Sequence, residues 1–535
     1  MGQVYRLAAP RIWGMRLNAF AKLASLLAAT AIAITGLAAA PAQASGPIVP
    51  VPNKAITEAS VGIQLFMWNW DSVAKECTNV LGPEGVDWVQ ISPPQEHITG
   101  STWWVHYQPV SYKLESNLGT RAQFINMVHA CNNAGVQIIA DAVVNHMAAS
   151  DGSGYANTQF SRFNYPGIYE PNDFHANLDA NDPHYCADNI SDYSDAWQVV
   201  NCSLGGLPDL ATEKPNVRQT IANYLNDLID IGVAGFRVDA AKHMGAEDLS
   251  AIKDLLHQVN GHAPYFSSEV IGSSSENDAF TPFSDVWAWQ MPTDLVNNLP
   301  LGMAGIYSTR SLWADTFNDS AHTITMVSNH DTEHHGGALS YKDGLTYQLA
   351  SILMLSNSFG KPELYSGYAF SDEGGNGSPN YKPGTDLYAD ASCPAGTKAL
   401  KPQASYVEGT YVCMQRWTAI RGMIAWRDAV GAKTPEKYAN YLKIPATGLG
   451  RILQYNRGIG FIAMNPTAKA IKTTLLVHEP KGTYCDVISG GQKPITSKKK
   501  CVGTTITVSA TGRALVTVPA RSAIAIVKAS WAKIN

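Results

Sequence analysis

Four acidic residues stand where apolar runs of this chain come to an end. Residues 235–243 read GFRVDAAKH, a run that looks like a buried strand yet holds Arg237 and Asp239 two residues apart. Glu269 closes the run YFSSEV, and Asp331 closes TITMVSNHD. Asp141, Asn145 and His146 lie at the end of a further run, VQIIADAVVNH. One aspartate at a strand end often caps the helix that follows. Three carboxylates ending three different strands suit another purpose, glycoside hydrolysis. There one carboxylate attacks or stabilises the anomeric carbon, and a second, with a raised pKa, protonates the leaving oxygen. Trp103, Trp104 and Tyr107, in the polar-interrupted stretch STWWVHYQPVSY, offer flat faces for sugars, although a single tryptophan more often packs in a core.

Such residues need a frame that brings strand ends together. Eight short apolar runs read as strands: 61–68, 86–92, 136–144, 233–238, 265–270, 286–290, 324–327 and 363–365. Amphipathic helices lie between several of them. Residues 215–231 place Val217, Ile221, Leu225, Leu228 and Ile229 on one stripe, and 246–259 do the same with Leu249, Ile252, Leu255, Leu256 and Val259. Eight strands with intervening helices predict a (β/α)8 barrel, whose functional residues gather at the C-terminal strand ends. A doubly wound sheet is the alternative, but no G-x-G-x-x-G follows the first strand. About seventy residues rich in Asn, Asp, Gly and Tyr separate Val144 from Pro215. A connection that long predicts an irregular inserted domain. From about Leu442 onward, β-branched runs with turn residues between them and no helix pattern predict a separate antiparallel β-sandwich. The expected division is 1–44 signal peptide, 45–146 and 213–440 barrel, 147–212 insertion, and 441–535 all-β domain.

Composition sets the class. The chain has 535 residues, 45% hydrophobic and 16% charged, enough for several domains with a large core. Its net charge of −5 offers no basic footprint for nucleic acid. Arg6, Arg11, Arg16 and Lys22 precede or enter an apolar stretch, 23–40, followed by Ala42-Gln43-Ala44. This reads as a secretory signal cleaved before Ser45, with Met15 an alternative start. After cleavage no membrane contact is expected. Eight cysteines without a CxxC suit disulfides in an exported protein, though eight allow 105 pairings.

Taken in order, DAVVNH (141–146), GFRVDAAKH (235–243), SEVIG (268–272) and SNHD (328–331) resemble the motifs of the α-amylases, in the animal-type and actinobacterial branch of the large α-retaining glycoside hydrolase family. WWVHYQPVSYKL and GLPDLATEKPNVR extend the resemblance from about Val61 to the C-terminus. It implies Asp239 as nucleophile, Arg237 as the cation keeping it ionised, Glu269 as general acid/base, and Asp331 as the acid gripping sugar hydroxyls. It places His146, His330 and Tyr107 at the cleavage subsite, Trp103 and Trp104 on the donor side, and Lys242 and His243 on the leaving-group side. Gln108 joins this substrate-contacting set.

The resemblance also implies a structural Ca²⁺, held by side-chain oxygens of Asn145 and Asp209 and by carbonyls of Val200 and His243. It pairs Cys77 with Cys131, Cys186 with Cys202, Cys393 with Cys413, and Cys485 with Cys501. Many animal-type members bind chloride through residues matching Arg237, Asn329 and a later Arg or Lys. That later position reads Glu363 here, and an acid repels an anion, so no chloride is expected. Lys361, two residues earlier, is the cation that could stand in. The glycine-rich loop after the third acid is shortened to TEHHGGALS. The expected activity is retaining endo-hydrolysis of α-1,4-glucans by a secreted monomer. The alternatives are a maltooligosaccharide-forming or transglycosylating relative, and a non-catalytic carbohydrate-binding protein on the same fold.

Overall fold

The computed structural model describes residues 49–175, 185–186, 188–299, 319–371, 376–393, 401–431 and 452–535. The expected signal segment, 1–44, and the expected boundary at 441 lie outside them. Eight strands close a barrel: β1 (Gly62–Leu65), β2 (Trp88–Ile91), β3 (Gln137–Ala142), β4 (Gly235–Val238), β5 (Tyr265–Ser268), β6 (Asp285–Trp287), β7 (Thr323–Thr325) and β8 (Lys361–Ser366). Every neighbouring pair is parallel, and β8 closes on β1. Each of the eight sequence runs contributes one strand. The ends differ in places: the run at 286–290 stops at Trp287, and Gln290 opens a helix instead.

The helices follow from local sequence. Pro215–Ile231 starts with Pro at its first position, where a missing N–H costs nothing, and buries the predicted stripe. It ends at Gly232, whose φ of 115° suits glycine. The helix expected over 246–259 ends earlier, at Asp254, and Leu255 is exposed. Here the stripe continued in sequence after the backbone had turned away.

The insertion after β3 contains a small hairpin, Gly152–Ser153 with Gln159–Phe160, and a short helix, Ala196–Asn201. Cys186–Cys202 bridges it. The other three implied disulfides, Cys77–Cys131, Cys393–Cys413 and Cys485–Cys501, are also formed.

The C-terminal region is built from antiparallel strands β9 (Leu453–Arg457), β10 (Gly460–Asn465), β11 (Ile471–Leu476), β12 (Gly482–Cys485), β13 (Thr505–Val508), β14 (Arg513–Val518) and β15 (Ser522–Val527). They pair as β9-β10-β15, β11-β14 and β12-β13. Phe461, Val477, Tyr484, Ile506, Val516 and Ile526 form their common core. Contrary to expectation, this region holds one short helix, Val487–Gly490, capped by Asp486. The other face of β10 and β15 packs on the barrel: Ile462, Ala525 and Trp426 belong to the main core, and Trp426 Nε1 donates to the Ile526 carbonyl.

Candidate active site

The register of the barrel aligns the reactive residues. Asp141 on β3 pairs with Arg237 on β4, and Arg237 pairs with Ser267 on β5. Asp239 and Glu269 lie just past β4 and β5, where their amides still bond to the neighbouring strand, Asp239 to the Ala142 carbonyl and Glu269 to the Val238 carbonyl. Ala240 follows in a left-handed conformation, φ 50°. That tight turn aims its N–H at Glu269 Oε2, 2.8 Å away. Asp331 sits in the first turn of the short helix His330–His335, whose N-cap is Asn329.

Arg237 organises the centre. It is buried, and its Nη1 lies 2.7 Å from Asp141 Oδ1 and 2.7 Å from Asp239 Oδ1. Its Nη2 lies 2.8 Å from Glu269 Oε2 and 3.9 Å from Asp331 Oδ2. Four carboxyls around one guanidinium cannot all ionise cheaply. Burial pushes Asp239 above the usual carboxylate range, and Arg237 opposes the rise. Arg237 thus acts on Asp239 in the direction its implied role requires, favouring the ionised carboxylate against burial. Glu269 is raised by burial, with the charge of Asp239 adding to the effect. Asp331 is raised well above its ordinary value by burial and by Glu269.

Aromatic rings line the same region. Tyr107 donates to Asp141 Oδ2 at 2.8 Å and stacks on His330 at 5.1 Å. His330 Nε2 is 3.3 Å from Asp331 Oδ2. His146 Nε2 meets the Tyr107 carbonyl at 3.0 Å. Burial lowers His146 to about 4 and His330 well below its ordinary value, so both are neutral near pH 7. Trp103 is only 6% exposed and packs edge-on to Tyr107, whereas Trp104 is 38% exposed at the rim. The two adjacent tryptophans thus divide between support and open surface.

Other expected residues stand apart from the carboxyls or are engaged by the scaffold. Lys242 Nζ contacts the Ile271 carbonyl at 2.7 Å and Glu276 Oε1 at 3.0 Å. His243 Nδ1 meets the Val199 carbonyl at 2.9 Å, which ties the turn after β4 to the helix carrying Val200. Gln108 Oε1 accepts from the Ala149 amide, a scaffold contact. Three participants had no assigned role in the sequence reading. Asp141 shares Arg237, Gln64 Nε2 contacts His330 Nδ1 at 3.0 Å, and Tyr193, 58% exposed, stands edge-on to His243. Asp141 and Gln64 had a signal, since each is a polar residue inside an apolar run. Tyr193 had none.

The residues expected to hold Ca²⁺ cluster beside this centre. Asn145 and Asp209 are buried, and the Leu210 amide donates to the Asn145 carbonyl. Asp209 Oδ2 pairs with His175 Nδ1 at 2.7 Å, but its buried Oδ1 has no hydrogen-bond partner. Burial raises this carboxyl to about 7. An orphaned, buried carboxyl oxygen is a feature that a hard cation satisfies. The donor set therefore fits Ca²⁺. His175 was not anticipated.

Comparison with known proteins agrees with this geometry. Residues 103–261 match the family model for the α-amylase catalytic domain, and 450–529 match that for the α-amylase C-terminal all-beta domain. An α-amylase of Streptomyces violaceus is 36% identical over 94% of this chain and 78% of its own length. Pancreatic α-amylase 2a5 of Mus musculus is 34% identical over 84% of this chain and 90% of its own. The solved structure of wild-type α-amylase I from Eisenia fetida superposes with a TM-score of 0.74, at 29% identity, covering 88% of this chain and 97% of that one. Two domain models in order, relatives matched over most of both chains and a shared barrel lead to one conclusion: the chain belongs to the α-amylase family of enzymes.

Proposed function

We propose that this chain is a secreted α-amylase that cuts internal α-1,4 bonds of starch, glycogen and maltooligosaccharides with retention. The observation that carries this reading is the pairing of Asp239 and Glu269 on one guanidinium, at 2.7 and 2.8 Å, which keeps the two carboxyls close together. Inverting enzymes hold their two carboxyls ~6.5–9.5 Å apart to admit a water, whereas retaining enzymes keep them ~5 Å apart. Asp239 attacks the anomeric carbon and forms a glycosyl-enzyme, while Glu269 protonates the leaving oxygen. Glu269 then removes a proton from the incoming water. Asp331 grips the sugar hydroxyls, and neutral His146 and His330 donate or accept without adding charge. Exposed Trp104 gives the donor side a stacking surface.

The relatives named α-amylase and the family motifs support the substrate class. Among the described residues no helix is long and apolar enough to cross a membrane. Export rests on the N-terminal signal pattern, and the protein is read as a monomer.

Proton NMR of soluble starch, followed from the first minute in chloride-free buffer, tests the reading. New reducing ends should appear first in the α form while long chains shorten early. A β first product would overturn the roles of Asp239 and Glu269. Redistribution of chain lengths without reducing ends would identify a transferase. Full activity is expected without chloride. Glu363 is buried on β8, and Lys361 is committed to Asp285 at 2.5 Å, so it is not free to replace a missing cation. Activity that returned only with added NaCl would refute this.

Bound Ca²⁺ would supply positive charge and oxygen coordination that pin the insertion to the barrel. Chelation by EDTA should lower the thermal midpoint, and excess Ca²⁺ should restore it. A ligand at 100 times its Kd stabilises by ~2.7 kcal/mol. Asp209→Asn should blunt the response, and an EDTA-insensitive midpoint would exclude the site.

A further inference from the structure

Gln64 is a buried carboxamide for which the mechanism above has no use. It stands on β1 in register with Gln90 on β2 and Tyr365 on β8, and it is 1% exposed. Its Nε2 lies 3.0 Å from His330 Nδ1. Its Oε1 is buried without a hydrogen-bond partner. A buried polar atom left unpaired costs free energy that an apolar side chain of the same size would not incur. Packing alone gives no reason for a glutamine at this position, whereas the contact with His330 does.

The plane of the His330 ring is set by its neighbours. The rings of Phe66 and Tyr107 lie nearly parallel to it, at 4.8 and 5.1 Å and at 19° and 13°. Stacking does not choose between the two ring nitrogens. A neutral imidazole has one N–H donor and one bare acceptor. The Gln64 carboxamide nitrogen can only donate, so Nδ1 accepts and the ring proton sits on Nε2. The other contact agrees. His330 Nε2 is 3.3 Å from Asp331 Oδ2, and an N–H aimed at a carboxylate oxygen is favourable. A reversed carboxamide would place Oε1 against Nδ1 and draw the proton there. The bare Nε2 would then face a carboxylate oxygen, acceptor against acceptor.

We propose that Gln64 is a positioning residue: its carboxamide fixes His330 as the Nε2–H tautomer, so that the histidine meets the sugar at the cleavage subsite as a hydrogen-bond donor. The inference rests on the proposed reaction and deepens it, because Gln64 acts only through His330. A sugar hydroxyl has one proton to give and lone pairs that accept. It can donate to the Asp331 carboxylate while its oxygen accepts from His330 Nε2. The opposite tautomer would turn a lone pair toward that oxygen and lose the second bond. A donor fixed before the sugar arrives needs no reorganisation during the reaction.

The ring nitrogens of His330 report the tautomer directly. In NMR spectra of protein carrying isotope-labelled histidine, the His330 signals are those lost in His330→Gln. The free parent enzyme should show a protonated Nε2 and a bare Nδ1, and a proton on Nδ1 overturns the inference. Gln64→Met is similar in size but has no donor. It should let the proton exchange between the two nitrogens, and kcat on a maltooligosaccharide should fall about tenfold with KM within about threefold of the parent. Gln64→Leu, which also lacks the donor, should do the same. In a His330→Gln background, Gln64→Met should add no further loss, because the two residues act as one unit. An additive loss, or a folded Gln64→Met that keeps the parent's tautomer and kcat, marks a packing role and overturns the inference. The tautomer is read without starch, so its failure is distinct from failure of the proposed function, which the parent's own products test.

Discussion

Glu269→Gln is expected to lower kcat on soluble starch by about three orders of magnitude while leaving the fold intact. The substitution keeps an oxygen that can accept from the Ala240 amide, the contact now made by Glu269 Oε2. It removes the acidic proton that the leaving sugar needs. The loss should therefore depend on the leaving group. A maltosyl fluoride, whose departure requires little protonation, should still form the glycosyl-enzyme at a substantial rate, and that intermediate should then accumulate. Mass spectrometry of the quenched protein would detect the added sugar on Asp239. Retention of a tenth of the starch activity would show that another group supplies the proton.

Arg237→Met should be damaging in two ways. Its guanidinium lies within 2.8 Å of Asp141, Asp239 and Glu269, all buried. Removing one partner of a buried ionic network leaves uncompensated charge and costs ~3–5 kcal/mol. The carboxyls can lessen that cost by taking up protons, because loss of a nearby cation raises their pKa values further. Asp239 would then be protonated over more of the pH range, and a protonated nucleophile does not attack. We expect kcat/KM to fall about a thousandfold at neutral pH and the acid limb to shift upward. A folded variant with an unchanged acid limb would show that Arg237 does not set the ionisation of Asp239. Arg237→Lys should recover part of the charge effect but not the shared geometry, since an ammonium lacks the planar fork that reaches Asp141, Asp239 and Glu269 together.

Much of the architecture was legible in the chain because it is governed by local patterns. The eight apolar runs, the stripe of 215–231 and the β-branched tail each carry a period that selects one backbone geometry. The acids at 239, 269 and 331 stand out because ionisable residues at the ends of apolar runs are costly unless they are paired. Boundaries were less legible. The helix begun at Ala246 stops at Asp254 although its apolar stripe runs on, and the strand begun at Asp285 stops at Trp287. Tertiary packing decides such ends, and a local pattern does not contain it.

Sequence by itself determined the barrel, the β-rich tail and the identity of the acids at the strand ends, because hydrophobic period and residue chemistry are properties of short stretches. Only the tertiary structure decided what those acids share. Asp141, Asp239, Glu269 and Asp331 come from separate segments, and only barrel closure and register surround Arg237 with all four. The same closure buries Trp103 while leaving Trp104 at the rim, and it brings Gln64 to His330. A pKa depends on burial and on charges distant in sequence, so the upward shifts of these carboxyls exist only once the strands have met.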